Sequence, residues 1–336
     1  CVSRPRSQLL PPAAGTDFVC ALSAKRKAHF LYGSIGKRKE GTYLMIARLV
    51  AGMKLLFRLH HPGRSLRIFP DDVFLVSFPK SGNTWVRFLI ANLIHPEKPA
   101  GFGNIHQLIP DPEGTSKRVF DRVPRPRVIK SHTCFNPEYP RVIYVVRDPR
   151  DVALSQYHYH RKRRLIQDQY PMDPFVTRFL AGETCSYGSW AENVFTWLVT
   201  RKNDPRFLLL RYEDLIEDTP RELSKIAAFL GSAVLGRTVN HEQILQAVER
   251  SSASNMRKLE KRDSHVSSMT KTSRQDLPFV RAASSGGWRS ELPEVLVSRI
   301  EAEWAPLMRS LGYALSTRQH SESAEFDLVR NESRPN

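Results

Sequence analysis

Cysteine is scarce in this sequence: four residues in 336, Cys1, Cys20, Cys134 and Cys185, at no metal-ligand spacing and with two of them in an unpatterned N-terminal stretch. That scarcity argues against a disulfide framework and favours a reducing compartment, hence a cytoplasmic location. Long apolar runs are missing as well. The nearest candidate, residues 42–57, is interrupted by Arg48 and Lys54, so no comfortable transmembrane helix is expected there. A chain that opens at Cys1 rather than Met leaves room for a preceding anchor or signal, which would make the location lumenal. Acidic residues are in deficit, 34 against 51 Lys and Arg, giving a net charge of +17. The deficit is local: residues 1–70 hold 13 basic residues against Asp17 and Glu40, so +11 sits in the first fifth and only +6 in the rest. Charge therefore describes mainly an N-terminal extension, and an anion-binding cleft suffices to account for the remainder.

What is present is enough for a large folded unit. With 41% hydrophobic and 25% charged residues the chain can bury a substantial core, which excludes a wholly disordered or collagen-like protein. Residues 1–40, with Pro11-Pro12 and the clusters Lys25-Arg26-Lys27 and Lys37-Arg38-Lys39, read as a flexible basic arm. Within the next stretch, 41–70, Leu44, Met45, Leu49, Val50, Met53, Leu56 and Phe57 recur at three- and four-residue steps among Arg48, Lys54 and Arg58, the pattern of an amphipathic basic helix. Two uses are open to it: packing on the domain with a solvated basic face, or peripheral contact with an anionic membrane through residues 42–67.

From Asp71 to Tyr313 short apolar runs alternate with helical stretches. Strands are expected at 73–78, 127–130, 141–146 and 207–211, and helices at 83–94, 149–160 and 220–230, the last stopped by Gly231. Alternation of this kind implies one α/β domain with a mostly parallel central sheet flanked by helices. Residues 158–167 and 251–274 read as mobile segments over a site, and 314–336 as a polar tail.

The sharpest local signal is Ser77-Phe78-Pro79-Lys80-Ser81-Gly82-Asn83-Thr84-Trp85, between a buried strand and a helix. Such a turn offers backbone N–H groups, hydroxyls and an ammonium to a phosphate at a helix N-terminus. It is P-loop-like without being the triphosphatase loop, because Lys80 precedes the glycine and G-x-x-x-x-G-K-[ST] is missing. Further on, Lys130-Ser131-His132 ends a strand, Arg147-Asp148-Pro149-Arg150-Asp151 through Ser155 follows a strand and opens a helix, and Tyr212-Glu213-Asp214 follows another. An arginine at a strand end can grip a phosphate in a forked, charge-assisted contact, and strand ends converge on the ligand crevice of open α/β sheets.

In this order the elements resemble those of the cytosolic-type sulfotransferases, which use 3′-phosphoadenosine 5′-phosphosulfate (PAPS). The resemblance implies that Lys80, Ser81, Gly82, Asn83, Thr84 and Trp85 form the 5′-phosphosulfate loop, and that Arg147 and Ser155 grip the 3′-phosphate. It implies further that His132 is the catalytic base and that Tyr212 sits by the adenine. The segment from Phe279 to Arg289 resembles the family's R-K-G-x-x-G-x-W cover: Arg281, Gly286 and Trp288 match, whereas Ala282 and Ala283 replace a lysine and a glycine. The family's T-S-F-x-x-M adenine segment survives only as Ser251 to Met256, with Ala253 in place of the phenylalanine, which shifts adenine packing toward Trp85 and Tyr212.

The resemblance implies in-line sulfuryl transfer from PAPS to an acceptor hydroxyl or amine, with Lys80 neutralising charge on the leaving phosphate and Ser155 restraining Lys80 until the acceptor arrives. No metal requirement is expected. The acceptor is expected to be a small molecule, lipid or saccharide read by loops 101–116, 158–167 and 251–274, and no nucleic-acid partner is expected. The family's T-V-centred dimer motif is not visible around 291–303, so the oligomeric state stays open. Two competing readings remain at this stage: a P-loop nucleotide kinase, and a non-enzymatic basic protein that binds nucleic acid or an anionic membrane.

Overall fold

A computed structural model describes residues 66–267 and 269–316. The basic arm 1–40, the amphipathic stretch 42–59 and the tail beyond 316 lie outside the described residues. Four strands make one sheet: β1 (Val73–Ser77), β2 (Val128–Ser131), β3 (Arg141–Val146) and β4 (Phe207–Arg211), in the order β2-β1-β3-β4. All pairs are parallel, with Val73 opposite both Val128 and Arg141, and Val142 opposite Phe207. Parallel strands covered on both faces should read as unbroken apolar runs, and every residue of β1 is buried.

Successive side chains point to opposite faces, so each strand feeds two cores. Phe74, Val76, Val142, Tyr144 and Val146 face one of them. There they meet α4 (Pro149–Lys162), α5 (Met172–Leu180), α6 (Trp190–Arg201) and α12 (Glu294–Ser310), whose Trp190, Trp197 and Trp304 lie among them. Val73, Leu75, Ile143 and Val145 face the other, against α1 (Asn83–Ile94), α8 (Thr219–Leu235) and α9 (His241–Arg250). The short helices α2 (Ile105–Leu108), α3 (Lys117–Phe120), α7 (Tyr212–Glu217) and α11 (Trp288–Glu291), with α10 (Ala253–Asp263), complete the described elements.

At the base of the sheet Arg127 and Asp72 form an ion pair at 2.5 Å whose side chains are 6% and 0% exposed. Removing one partner of such a pair strands a buried charge and costs about 3–5 kcal/mol. At the other end of the sheet the chain goes from β1 to β2 on one side and to β3 on the other, the switch point at which open α/β sheets bind ligands.

Three expectations need correction. The helix expected to stop at Gly231 runs to Leu235, broken in the middle where Gly231 takes φ 68° and ψ 173°; glycine permits that turn without ending the helix. The helix expected to end at His160 continues through Lys162. Residues 251–274, read as a mobile segment, contain α10, whose buried positions are Met256, Glu260 and Asp263. Two of those three are acidic, so apolar periodicity could not reveal the helix: Glu260 is buried because it accepts the N–H groups of Phe279 and Val280 at 2.5 and 3.0 Å.

Candidate active site

The loop between β1 and α1 departs twice from ordinary backbone. Lys80 has φ 71° and Gly82 φ 97°, the latter capping α1 in the left-handed region. A Cβ at Gly82 would lie 2.4 Å from Cδ2 of Tyr212, so only glycine lets the loop close against that ring. Asn83 pins the loop from below: its Nδ2 donates to the carbonyl of Leu75 at 3.3 Å and to Ser77 Oγ at 3.2 Å. Ser81 Oγ is buried without a hydrogen-bond partner. A buried hydroxyl without a partner at the N-terminus of a helix suits an anion.

His132 follows β2, next to the end of β1. Its Nδ1 lies 2.7 Å from the carbonyl oxygen of Ser77. A carbonyl only accepts, so Nδ1 carries the proton and Nε2 the lone pair. Burial first, then the charge of Lys130, pushes the imidazolium down to about 3, so the ring is neutral at physiological pH. Asn193 on α6 holds the backbone of His132, donating from Nδ2 to its carbonyl at 3.0 Å, and Tyr187 packs edge-on against the imidazole at 5.5 Å.

Lys80 Nζ lies over two rings, Tyr159 at 4.5 Å and Phe279 at 4.8 Å. Desolvation by these walls, reinforced by Arg147 and Arg281, lowers its ammonium to about 8. Ser155 sits one turn before Tyr159 on α4 and makes no hydrogen bond to Lys80; the groups over the ammonium are aromatic.

Arg147 leaves β3 with its guanidinium 4.2 Å above the ring of Tyr212, donating to the carbonyls of Lys80 at 3.4 Å and Ser284 at 3.0 Å. Its Nε is buried and unpartnered. Tyr212 is only 5% exposed, a wall between the loop and Arg147 rather than an open platform. Trp85 stands against it at 5.8 Å, edge to face, with Nε1 donating to the carbonyl of Ser251 at 3.1 Å. Gly286 arrives by way of Asp151, whose carboxylate accepts the N–H of Gly286 at 2.6 Å and of Trp288 at 3.1 Å. Arg281 is drawn aside: its guanidinium is held by Glu291 at 2.8 Å.

Lys80, Ser81, Gly82, Asn83, Thr84, Trp85, His132, Arg147, Ser155 and Tyr212 thus stand at the carboxyl ends of β1, β2, β3 and β4 or on the segments that follow them. Several partners were not picked out from sequence: Asp151, Asn193, Tyr159 and Phe279. Asp151 carried a readable signal, four residues after Arg147 at the start of the same helix. No group of three or more His, Cys, Asp or Glu side chains among the described residues is placed to hold a metal ion. Nor is any described helix long and apolar enough to cross a membrane.

A parallel α/β sheet with a strand-to-helix anion-type loop at its switch point defines a class of α/β proteins that bind phosphorylated ligands at the carboxyl ends of their strands. Residues 70–312 match the sulfotransferase domain family, and the chain belongs to it. Bovine (Bos taurus) sulfotransferase 1A1 is 30% identical over 263 residues, covering 74% of this chain and 86% of the relative. Among solved structures, mouse sulfotransferase SULT7A1 complexed with PAP superposes with a TM-score of 0.56 at 27% identity, covering 75% of this chain and 89% of that one. Retinol dehydratase in complex with androsterone and PAP shares the fold, at a TM-score of 0.58, 21% identity and coverage of 77% and 85%. The protein is a sulfotransferase, and neither the nucleotide-kinase reading nor the non-enzymatic one finds support in these likenesses.

Proposed function

We propose that this site transfers a sulfuryl group from PAPS to a hydroxyl or amine of a small-molecule acceptor. The observation that carries the reading is the convergence of a neutral, Nε2-accepting His132 with a desolvated Lys80 beside two buried unpartnered polar atoms, Ser81 Oγ and Arg147 Nε. Those orphans fit a nucleotide with anionic groups at two ends: the Lys80–Trp85 loop would hold the 5′-phosphate, and Arg147 with Ser155 the 3′-phosphate. Gly286 and Arg281 belong to the covering segment, and Trp85 offers the adenine more surface than buried Tyr212. When bound, PAPS supplies an activated sulfuryl group and departs as 3′-phosphoadenosine 5′-phosphate (PAP).

His132 Nε2 takes the acceptor proton as the acceptor oxygen or nitrogen forms its bond to sulfur. Lys80 neutralises the charge that develops on the phosphate oxygen as its bond to sulfur breaks. Asn193 and the Ser77 carbonyl keep the imidazole in the accepting tautomer. Restraint of idle Lys80, assigned by resemblance to Ser155, is in this state better served by Tyr159 and Phe279. A domain spanning 71–313 and a cytoplasmic location accord with the family and with the cysteine usage.

Calorimetric titration with PAP, using ATP as control, tests the donor reading. Tight binding that ATP does not match, lost in Lys80→Ala/Arg147→Ala, supports it; no binding, or equal preference for ATP, overturns it.

A further inference from the structure

Beside the lysine roof lies a cleft of about 530 Å³ lined by Arg161, Arg164, Leu165, Ile166, Gln167, Asp168 and Arg274. It is tied to the active site through the two segments that carry the rings over Lys80. Helix α4 carries Tyr159 and then Arg161. The strap that starts at Arg274 leads to Phe279, and Lys162 joins the two, its Nζ donating to the carbonyls of Arg274 and Leu277 at 2.9 and 2.5 Å.

Positive charge is in surplus here. Asp168 receives both Arg161, at 3.4 Å, and Arg274, which also pairs with Asp276. Asp276 lies within electrostatic reach of Arg164, and Arg163 donates to Thr272 Oγ1 at 3.2 Å. Cations in the last turn of α4 need no special explanation, because the helix dipole favours them there. Arg164 lies beyond that turn. The helix ends with Leu165 N–H donating to the His160 carbonyl at 2.8 Å and Arg164 N–H to that of Arg161 at 3.0 Å, a closure whose left-handed position glycine ordinarily fills. Arginine occupies it at φ 57°. A left-handed arginine lining a cleft is a pointer to use, and Leu165, 52% exposed, adds apolar surface beside it.

We infer that this cleft is an anion subsite for the acceptor: it receives a carboxylate, sulfate or phosphate group carried on an apolar frame whose hydroxyl reaches His132. The inference rests on the sulfotransferase reading and narrows it to amphiphilic, acidic acceptors.

The test uses the full chain saturated with PAP. Lithocholate, with a hydroxyl and a carboxylate at opposite ends of a rigid frame, and its neutral methyl ester are titrated by calorimetry into wild type and Arg161→Gln/Arg164→Gln. The acid is expected to bind wild type at least about fivefold more tightly than the ester. That ratio should fall to about one in the variant while PAP affinity is unchanged. A lower ratio in wild type, no binding of either steroid, or a preference that survives in the variant overturns the inference. Failure of PAP itself to bind wild type would instead remove the donor reading.

Discussion

Replacing Lys80 with methionine should stabilise the fold while destroying the donor site. The native ammonium is lowered from 10.5 to about 8, chiefly by desolvation. Each pH unit of that displacement corresponds to about 1.4 kcal/mol, so keeping the charge in place costs at most about 3.5 kcal/mol. The residue retains partial exposure, and solvent screening brings the expected value to about 1–2 kcal/mol. Methionine keeps the contact with Tyr159 and Phe279, since a thioether packs well against aromatic rings.

The pH dependence identifies the cause. Between pH 8 and 10.5 the unfolded chain holds the Lys80 proton and the native chain has released it, so wild-type stability gains from this group as pH rises through that window. Below pH 8 both states are protonated and the penalty is present in full. Lys80→Met should therefore exceed wild type by a constant margin up to about pH 8, with the margin closing toward pH 10.5. Urea unfolding at pH 7, 8, 9 and 10, followed by tryptophan fluorescence, measures it. A variant less stable than wild type at pH 7, or a margin that does not change up to pH 10, would refute the assignment of Lys80 as a desolvated cation.

Four other outcomes are expected. His132→Ala should lower kcat by about 10²–10⁴ with PAP affinity retained; because the imidazole stays neutral down to about 3, wild-type kcat/KM should show no acid limb near pH 6.5, and one abolished by the substitution would contradict this. Gly82→Ala places a methyl 2.4 Å from Tyr212 at φ 97°, so unfolding and PAP titrations should show about 2–4 kcal/mol of lost stability and weaker binding. Asp151→Ala strands the N–H groups of Gly286 and Trp288, at about 1–3 kcal/mol each, which hydrogen exchange should register as lost protection confined to the covering segment. Arg164→Gly should raise stability by about 0.5–1 kcal/mol in urea unfolding by relieving a left-handed arginine; a destabilised variant would show that the closure is not strained.

The parallel sheet and the turn between β1 and α1 were legible because their signals are local. Val73–Ser77 is an unbroken apolar run, and a lysine, serine, glycine and threonine crowd the turn before an amphipathic helix. His132 could be singled out among 11 histidines because it closes the Lys130-Ser131-His132 segment directly after a strand. The roof was not legible: Tyr159 lies within a basic helix and Phe279 in a segment with no periodicity, 120 residues apart, and only the fold brings both rings over Lys80. Helix α10 escaped for a related reason. Its buried positions include Glu260 and Asp263, which are buried by hydrogen bonds to backbone rather than by apolarity, and hydrophobic periodicity is blind to that kind of burial.

The departures at Ala282 and Ala283 gain a physical meaning in the fold. Ala283 takes φ 53°, a conformation open to glycine without penalty and costly for alanine by about 1–2 kcal/mol. The segment keeps its shape because side chains on two helices hold its backbone. Arg257 on α10 donates to the carbonyls of Val280 and Arg281 at 3.1 and 2.6 Å, and Asp151 on α4 accepts the N–H groups of Gly286 and Trp288. Charged groups clamped to backbone replace the freedom a glycine would give, so the cover is more tightly fixed at both ends. With alanine in place of the lysine and Arg281 held by Glu291, the proposed donor site leaves the cationic grip on a 3′-phosphate mainly to Arg147. Arg147→Ala alone should therefore account for most of the affinity that separates PAP from its analogue without the 3′-phosphate, and Arg281→Ala for little of it. Calorimetric titration of both nucleotides against both variants measures the division; an equal loss in the two variants would show that Arg281 leaves Glu291 when the nucleotide binds.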